Sequence, residues 1–487
     1  MSEKDVIGFT VEKDGLGYNI FMPNPIDPQF LAQYPEYLET ENIDRLRATD
    51  YARIDQLGHI YLDYTGSGVY AESQIRKHHE FLSSNVFGNP HSTNPTSAIS
   101  TEMVEHTRTT ILDFFHANPR EYVVIFTSNA SGALKLVGES YPFGKNSHYL
   151  LTYDNHNSVN GIREYALAHN AKVTYIPVLP PEMGVDETKL NAELASSKSG
   201  AANLFAFPAQ SNFSGRQHPL EWIERAHELG WDVLLDAAAF APTNPLDLGK
   251  YHPDFVPISF YKMFGYPTGI GALIARREAL KKLRRPWFAG GTITVASVQG
   301  EKFYLAEAPS AFEDGTLNFL SIPAVEIGLN HLKGIGLDVI HKRVHALTGW
   351  LLQELTKIKH SNGKPVLKIY GPLCDEKRGG TIALNFFDPD GQVIDHLSVE
   401  QNANKIDLSL RTGCFCNPGA GEVALGISSE ELHSCFARPT HDAHLSYDEF
   451  RLCIDGKASG AVRISVGLVS NFADVDAFIQ FAVRLAK

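Results

Sequence analysis

The chain has 487 residues, 43% of them hydrophobic, which supplies more core than one compact unit uses and predicts two packed domains. Its 43 Lys+Arg against 56 Asp+Glu leave a net charge of −13, and no basic run interrupts it, which argues against a nucleic-acid or anionic-membrane partner. The opening residues carry no basic and apolar leader and no later window is long and uncharged enough to cross a bilayer, so a cytoplasmic protein is expected, with Cys374, Cys414, Cys416, Cys435 and Cys453 as reduced thiols.

In chain order, the first fifty-seven residues, rich in Pro, Asp and Tyr, read as an irregular arm that also completes part of a small domain. Short apolar runs then alternate with helix-like segments: YVVIFTS before NASGALKLVGES, HYLLTYD before NHNSVNGIREYALAHN, then KVTYIPV, NLFAFPA and WDVLLDA. That alternation predicts an α/β fold with a mostly parallel sheet covered by helices, over residues 58–325. From about Leu320 the apolar residues recur at helical spacing through SIPAVEIGLNHLKGIGLDVIHKRVHALTGWLLQELTKI, a linking helix into a smaller α+β domain over 326–487. TIALNFF and AVRISVG read as its strands, and the residues after Asn471 as its last helix.

Chemistry-bearing residues fall at strand ends. FTSNASGAL places Thr127, Ser128, Asn129 and Ser131 where a strand turns into a helix, a position that binds phosphate through free N–H groups and hydroxyls or caps the helix. His156 follows the next strand and suits stacking on an aromatic cofactor or acid–base work; a structural histidine is the alternative. Asn212 follows another strand, as a donor to a phenolic oxygen or as a turn residue. Asp236 ends VLLD, placed to hold a protonated ring nitrogen or to cap the alanines after it. Lys262 leaves a strand into a glycine-containing turn, placed to join a carbonyl cofactor as an imine or to lie exposed beside the turn. The G-x-G of TGIGAL precedes a strand instead of opening a helix, so it is not a dinucleotide fingerprint.

The order of these segments resembles the fold-type I pyridoxal-phosphate enzymes, and within them the class V aminotransferase group, from about Gly58 to the end of the chain. YLDYTGSG and SFYKMFGYPTGIGAL resemble that group's opening strand and lysine loop. FAGGTITVAS and FEDGTLNFLS, with Thr316, resemble the loops that reach a neighbouring subunit's phosphate in its homodimers. RTGCFCNPGA, DNHNSV and FPAQSNFSGR are most similar to the cysteine-desulfurase part of molybdenum cofactor sulfurases. The resemblance implies a seven-stranded large-domain sheet and pyridoxal 5'-phosphate held by Ala130, Ser131, His156, Asn212, Asp236, Ser259, Tyr261, Lys262 and Thr316. It implies L-cysteine as substrate, with Arg463, Arg411 and Asn212 binding it, Lys262 and His156 catalytic, and the nucleophile on Cys416, five residues after Arg411, which would carry a persulfide to a separate acceptor. Attack needs thiolate, and Arg411 is expected to favour it.

Three features depart from the pattern. Ala239 stands where a glutamine is usual, Gly421 where a cysteine is frequent, and a polar insert of about residues 422–459 separates the cysteine loop from Arg463. Zinc at Cys414, Cys416, Cys435, Cys453, His433, His441 and His444 is disfavoured, because C-x-C lacks a second tight pair, so no metal is expected. The alternative functions are another reaction of the same enzyme group, a C–S lyase, an epimerase or a cyclase with Cys416 incidental, and a non-catalytic sulfur carrier.

Overall fold

The computed structural model describes residues 26–198, 200–374, 376–437, 445–446, 449–450, 453–454 and 459–486. Seven strands form the large sheet: β1 (Tyr122–Thr127), β2 (His148–Thr152), β3 (Lys172–Ile176), β4 (Asn203–Pro208), β5 (Asp232–Asp236), β6 (Phe255–Ser259) and β7 (Gly271–Arg276). Their order across the sheet is β1-β7-β6-β5-β4-β2-β3. All pairings are parallel except those of β7, which runs antiparallel to both β1 and β6. Between β6 and β7 there is room only for the short helix Phe260–Phe264 and a turn, too little chain for a crossover, so β7 must come back antiparallel beside β6. β2, β4, β5 and β6 are buried along their whole length, as strands covered on both faces are. The C-terminal ends of β1, β2, β4, β5 and β6 share one edge of the sheet, and each opens into one of the segments singled out above.

Helix α1 (Ala130–Ser140) leaves β1 directly, and α2 (Ile322–Ile335) and α3 (Leu337–Lys357) follow the large sheet. The single linking helix expected from periodicity is thus two. Gly336 breaks it at φ 92°, a backbone conformation that side chains other than glycine's resist. A second sheet has the order β8 (Leu367–Tyr370), β9 (Thr381–Phe386), β11 (Ala461–Ser465), β10 (Arg411–Gly413), all antiparallel. α4 (Pro418–Leu425) follows the cysteine loop, and α5 (Phe472–Leu485) ends the described chain.

The amino-terminal segment differs from the irregular arm expected of it. Helices Pro28–Gln33, Glu41–Thr49 and Arg53–Gln56 pack on this small-sheet half, where Phe30 meets the Trp350 and Phe472 rings. Ion pairs of two buried arginines fix them: Arg47 binds the buried Asp474 at 2.5 Å, and Arg343 of α3 binds the partly exposed Asp44 at 2.6 Å. Proline and tyrosine content suggested loop, but Pro28 and Pro35 sit at helix starts, where a missing N–H costs nothing. Residues 1–25 of that arm lie outside the described residues.

The expectation of five reduced thiols is overturned at one pair. Cys435, at the end of helix Ser429–Phe436, is bonded to Cys453, with the Cα atoms 5.3 Å apart, while Cys374, Cys414 and Cys416 are free and exposed. The pairing joins two buried residues that sequence spacing alone does not show to be neighbours. Among the described residues no helix is long and apolar enough to cross a membrane, and no His, Cys, Asp and Glu group is arranged to hold a metal. His441 and His444 lie outside the described residues.

Candidate active site

A cavity of about 430 Å³ opens at the carboxyl edge of the large sheet. Ala130, Ser131, His156, Asn212, Asp236, Ser259, Tyr261 and Lys262 all line it, so the sequence-predicted set converges there apart from Thr316 and the two arginines and cysteine. Lys262 stands in the middle of the helix turn after β6. Burial pushes its ammonium down from the ordinary lysine range; Asp236 opposes this and Arg463 adds to it. Asp236 is buried, and its Oδ1 accepts from Ala238 N at 3.0 Å, so it both closes the local turn and faces the cavity. Of the two readings of this residue, each describes part of it.

His156 caps the short helix Asn157–Asn160. Its Nδ1 accepts from Ser158 N at 3.1 Å, which leaves the proton of a neutral ring on Nε2. Burial lowers its pKa, with Asp236 opposing and Lys262 reinforcing, so the ring is neutral near pH 7. At the other end of the cavity α1 begins. Asn129 caps it by accepting from Gly132 N at 2.9 Å, and Ser131 Oγ lies 2.6 Å from Ser158 Oγ. β7 presses on this helix start: a Cβ on Gly271 would come within 2.5 Å of the Asn129 carbonyl carbon and 2.9 Å of Ala130 N. The floor therefore offers a helix N-terminus with hydroxyls, a half-buried lysine with lowered basicity, a carboxylate and a neutral imidazole. That donor set fits pyridoxal 5'-phosphate, whose phosphate, carbonyl, pyridine nitrogen and ring face each need one of these groups.

The small sheet supplies the opposite side. Arg411 and Arg463 are register partners on β10 and β11. Arg463 is buried and donates from Nη1 to the Asn212 carbonyl at 3.0 Å, with its guanidinium 4.7 Å from the Phe415 ring centre. Desolvation lowers its pKa to about 10 although Asp63 opposes it. Cys416 is exposed, and its loop borders the lysine cavity through the cavity residue Asn212 and through Asn157, next to His156. Its loop is fixed residue by residue: Phe415 and Cys416 are both left-handed, at φ 56° and 55°. Asn212 Nδ2 donates to the Phe415 carbonyl at 2.8 Å, Asn157 N donates to the Cys416 carbonyl at 2.7 Å, and Asn417 Nδ2 donates to Asp154 O and Asn212 Oδ1, both at 2.8 Å. Two successive left-handed residues other than glycine cost about 1–2 kcal/mol each, and these bonds offset that cost.

Several expectations change. Asn212 is not free to serve the cavity alone: its carboxamide holds the cysteine loop and keeps one N–H for another acceptor. Arg411 is not free beside Cys416 but bound to Asp63 through Nε at 3.0 Å and Nη2 at 2.6 Å. Thr316 lies outside the Lys262 cavity, in a neighbouring one of about 410 Å³ with Ser128, Trp287 and Asp314. Ala239 lines the Lys262 cavity as a plain methyl, and Gln210 lines it too. Sequence reasoning missed Asp63, Gln210 and Asn417. Asn417 was detectable, since an Asn before a Pro opening an apolar run is a helix-start signal, and it caps α4. Asp63 lay in the YLD segment already singled out, but nothing in the sequence named its partners.

A lysine-centred cavity at the carboxyl edge of a mixed seven-stranded sheet, closed by an arginine-bearing antiparallel sheet, defines a class of fold, and the family model for class-V aminotransferases matches residues 60–478. The chain belongs to the class-V aminotransferase family. It is 38% identical to the molybdenum cofactor sulfurase of Solanum lycopersicum, over 93% of this chain and 59% of that protein, and 38% identical to that of Homo sapiens, over 91% and 51%. The chain thus spans between half and three-fifths of the length of these curated relatives. Among solved structures it shares its fold with the apo cysteine desulfurase from Thermococcus onnurineus NA1, at TM-score 0.74 and 23% identity, over 91% of this chain and 98% of that one. The cystine C-S lyase C-DES, in complex with its product cysteine persulfide, matches at TM-score 0.65 and 16% identity, over 88% and 97%.

Proposed function

We propose that the protein is a pyridoxal-phosphate-dependent cysteine desulfurase of the molybdenum-cofactor-sulfurase type, converting L-cysteine to L-alanine and keeping the sulfur as a persulfide on Cys416 for a separate acceptor. The observation that carries this is the meeting of the Lys262 cavity with Arg463 and the Cys416 loop, through the bonds of Asn212 to both. Lys262 would hold the cofactor covalently, with Asp236 available to its ring nitrogen, His156 to its ring and the start of α1 with Ser131 and Ser259 to its phosphate, since all of these line the one cavity. When bound, the cofactor supplies an electron sink that acidifies the substrate Cα–H. Once the substrate amine has taken its place on the cofactor, the freed Lys262 amine, whose basicity burial lowers, would take the Cα proton. Arg463 orients the substrate carboxylate, and Cys416 presents the sulfur nucleophile from a loop held in one conformation.

The same reading divides the chain into an amino-terminal arm completing the small domain over 1–57, a cofactor domain over 58–325 and a small domain over 326–487, and places the protein in the cytoplasm as a homodimer. Support for the dimer comes from the exposed Trp287, Phe288, Val295, Val298 and Tyr304 around the hairpin Ile293–Leu305, an apolar face beside the Thr316 cavity that a second copy would cover. A second reading, a C–S lyase or another reaction of the family with Cys416 not the nucleophile, draws on the fold shared with the C–S lyase and on Asn212 serving the loop. Incubation with L-cysteine, following alanine and protein-bound sulfur by intact mass, separates the two. The desulfurase gives equimolar alanine and a one-sulfur adduct, both lost in Cys416→Ala and kept in Cys414→Ala. Unchanged turnover by Cys416→Ala selects the second reading.

A further inference from the structure

Two guanidinium groups share one carboxylate beside the Lys262 cavity. Asp63 accepts from Arg411 Nε and Nη2 at 3.0 and 2.6 Å and from Arg463 Nη2 at 3.1 Å. It is buried, and its backbone is pinned by a parallel bridge to Ser465 on β11. Gly66 folds down on the pair so closely that a Cβ there would lie 2.5 Å from Asp63 Oδ2 and 2.7 Å from Arg411 Nη2. Two cations and one anion leave a single positive charge, and both arginines act electrostatically on Lys262.

We infer that Asp63 is the residue that sets substrate charge: by binding both arginines it leaves one cationic charge, enough for an amino acid with one carboxylate, and denies Arg411 to a second anionic group on the side chain. The inference rests on the reading above in which Arg463 takes the substrate carboxylate. Without Asp63 the site would present two unpaired guanidinium groups, and an amino acid with an anionic side chain would bind both. Asp63 acts through the arginines, as a positioning residue.

Calorimetric titration of the holoprotein with L-alanine and with L-aspartate tests this, because neither probe depends on sulfur transfer. Asp63→Asn is expected to raise the affinity for L-aspartate relative to L-alanine at least tenfold, while Asp63→Glu, which keeps the charge, stays within threefold of wild type. With L-cysteine the Asp63→Asn change is expected in KM more than in kcat. A general structural lesion would weaken both amino acids alike, and an unchanged ratio in folded Asp63→Asn overturns the inference. Should Asp63→Asn not fold, Arg411→Gln decides: it leaves Asp63 and Arg463 as a neutral pair, and L-alanine binding must weaken at least fivefold, an unchanged affinity again overturning the idea. If wild type yields no alanine from L-cysteine yet the ratio moves as stated, the desulfurase reading fails and this one stands; if wild type binds neither amino acid, both fall.

Discussion

Lys262, Asp236 and His156 each stand within four residues of the end of a large-sheet strand, whereas Asp63, Arg411 and Arg463 come together across separations of 348 and 400 residues. On the first side backbone geometry does the positioning: parallel strands end at one edge, so whatever follows them faces the same space. On the second side, ion pairs and side-chain hydrogen bonds do it: the cysteine loop has two left-handed residues whose carbonyls Asn212 and Asn157 hold, and Asn417 ties it to Asp154 and Asn212. The two sides should therefore fail differently. Substitutions on the sheet side remove a chemical group from a frame that persists, and substitutions on the other side loosen the frame.

The largest expected effect lies at Lys262. Lys262→Ala takes away the one lysine among the described residues that line the cavity, and alanine formation is expected to fall at least about a thousandfold with little change in melting temperature, read by product assay beside a thermal melt. Equal loss of stability and activity would break the contrast, since the lysine would then be part of the frame. Next is Gly271→Ala. Its Cβ would meet backbone atoms of Asn129 and Ala130, which cannot rotate away, so a loss of about 2 kcal/mol in denaturant unfolding is expected together with weaker retention of the cofactor.

Asn212→Ala is expected to act on the loop. The Phe415 and Asn417 bonds disappear, and deuterium uptake in the peptide spanning 411–425 should rise while peptides of β5 and β6 stay protected. Sulfur transfer should fall about tenfold, because Cys416 is no longer held beside Lys262 and Arg463. Unchanged exchange in that peptide would mean that Asn157 and Asn417 hold the loop without it.

The same contrast explains what was legible in the sequence. Apolar runs followed by small polar residues announced the strand ends and offered Ser131, His156, Asn212, Asp236 and Lys262, while Ala130, Ser259 and Tyr261 came from the family resemblance; all eight reach the cavity. The glycines of TGIGAL were read as preceding a strand, and β7 begins at Gly271; its antiparallel direction was not read from the sequence, although the connection from β6 is too short to cross over. Asp63 was illegible because its meaning lies in Arg411 and Arg463, and the Cys435–Cys453 bond because its two residues lie in a region where sequence spacing carried no pattern. The break at Gly336 was hidden by apolar periodicity that continues across it. Local signals fix elements and strand ends, while charge partners from distant segments become visible only in the fold.

The smallest effect concerns His156, and it tests how far the two sides are coupled. Burial is the main cause of its lowered pKa, with Lys262 and Arg463 pushing the same way and Asp236 opposing. With the folded value below the 6.5 of a free imidazole, the unfolded chain binds more protons in the window just under pH 6.5. Stability is therefore complete above that pH and declines as pH falls through the window. In protein freed of cofactor, His156→Gln removes this contribution, so its melting temperature should drop less than wild type's between pH 7 and about pH 5. Replacing Arg463 by Gln should shrink the same difference, because one of the charges resisting protonation has gone. Should Arg463→Gln leave the wild-type slope untouched, the imidazole responds to burial alone, and the two sides meet through hydrogen bonds without sharing a field.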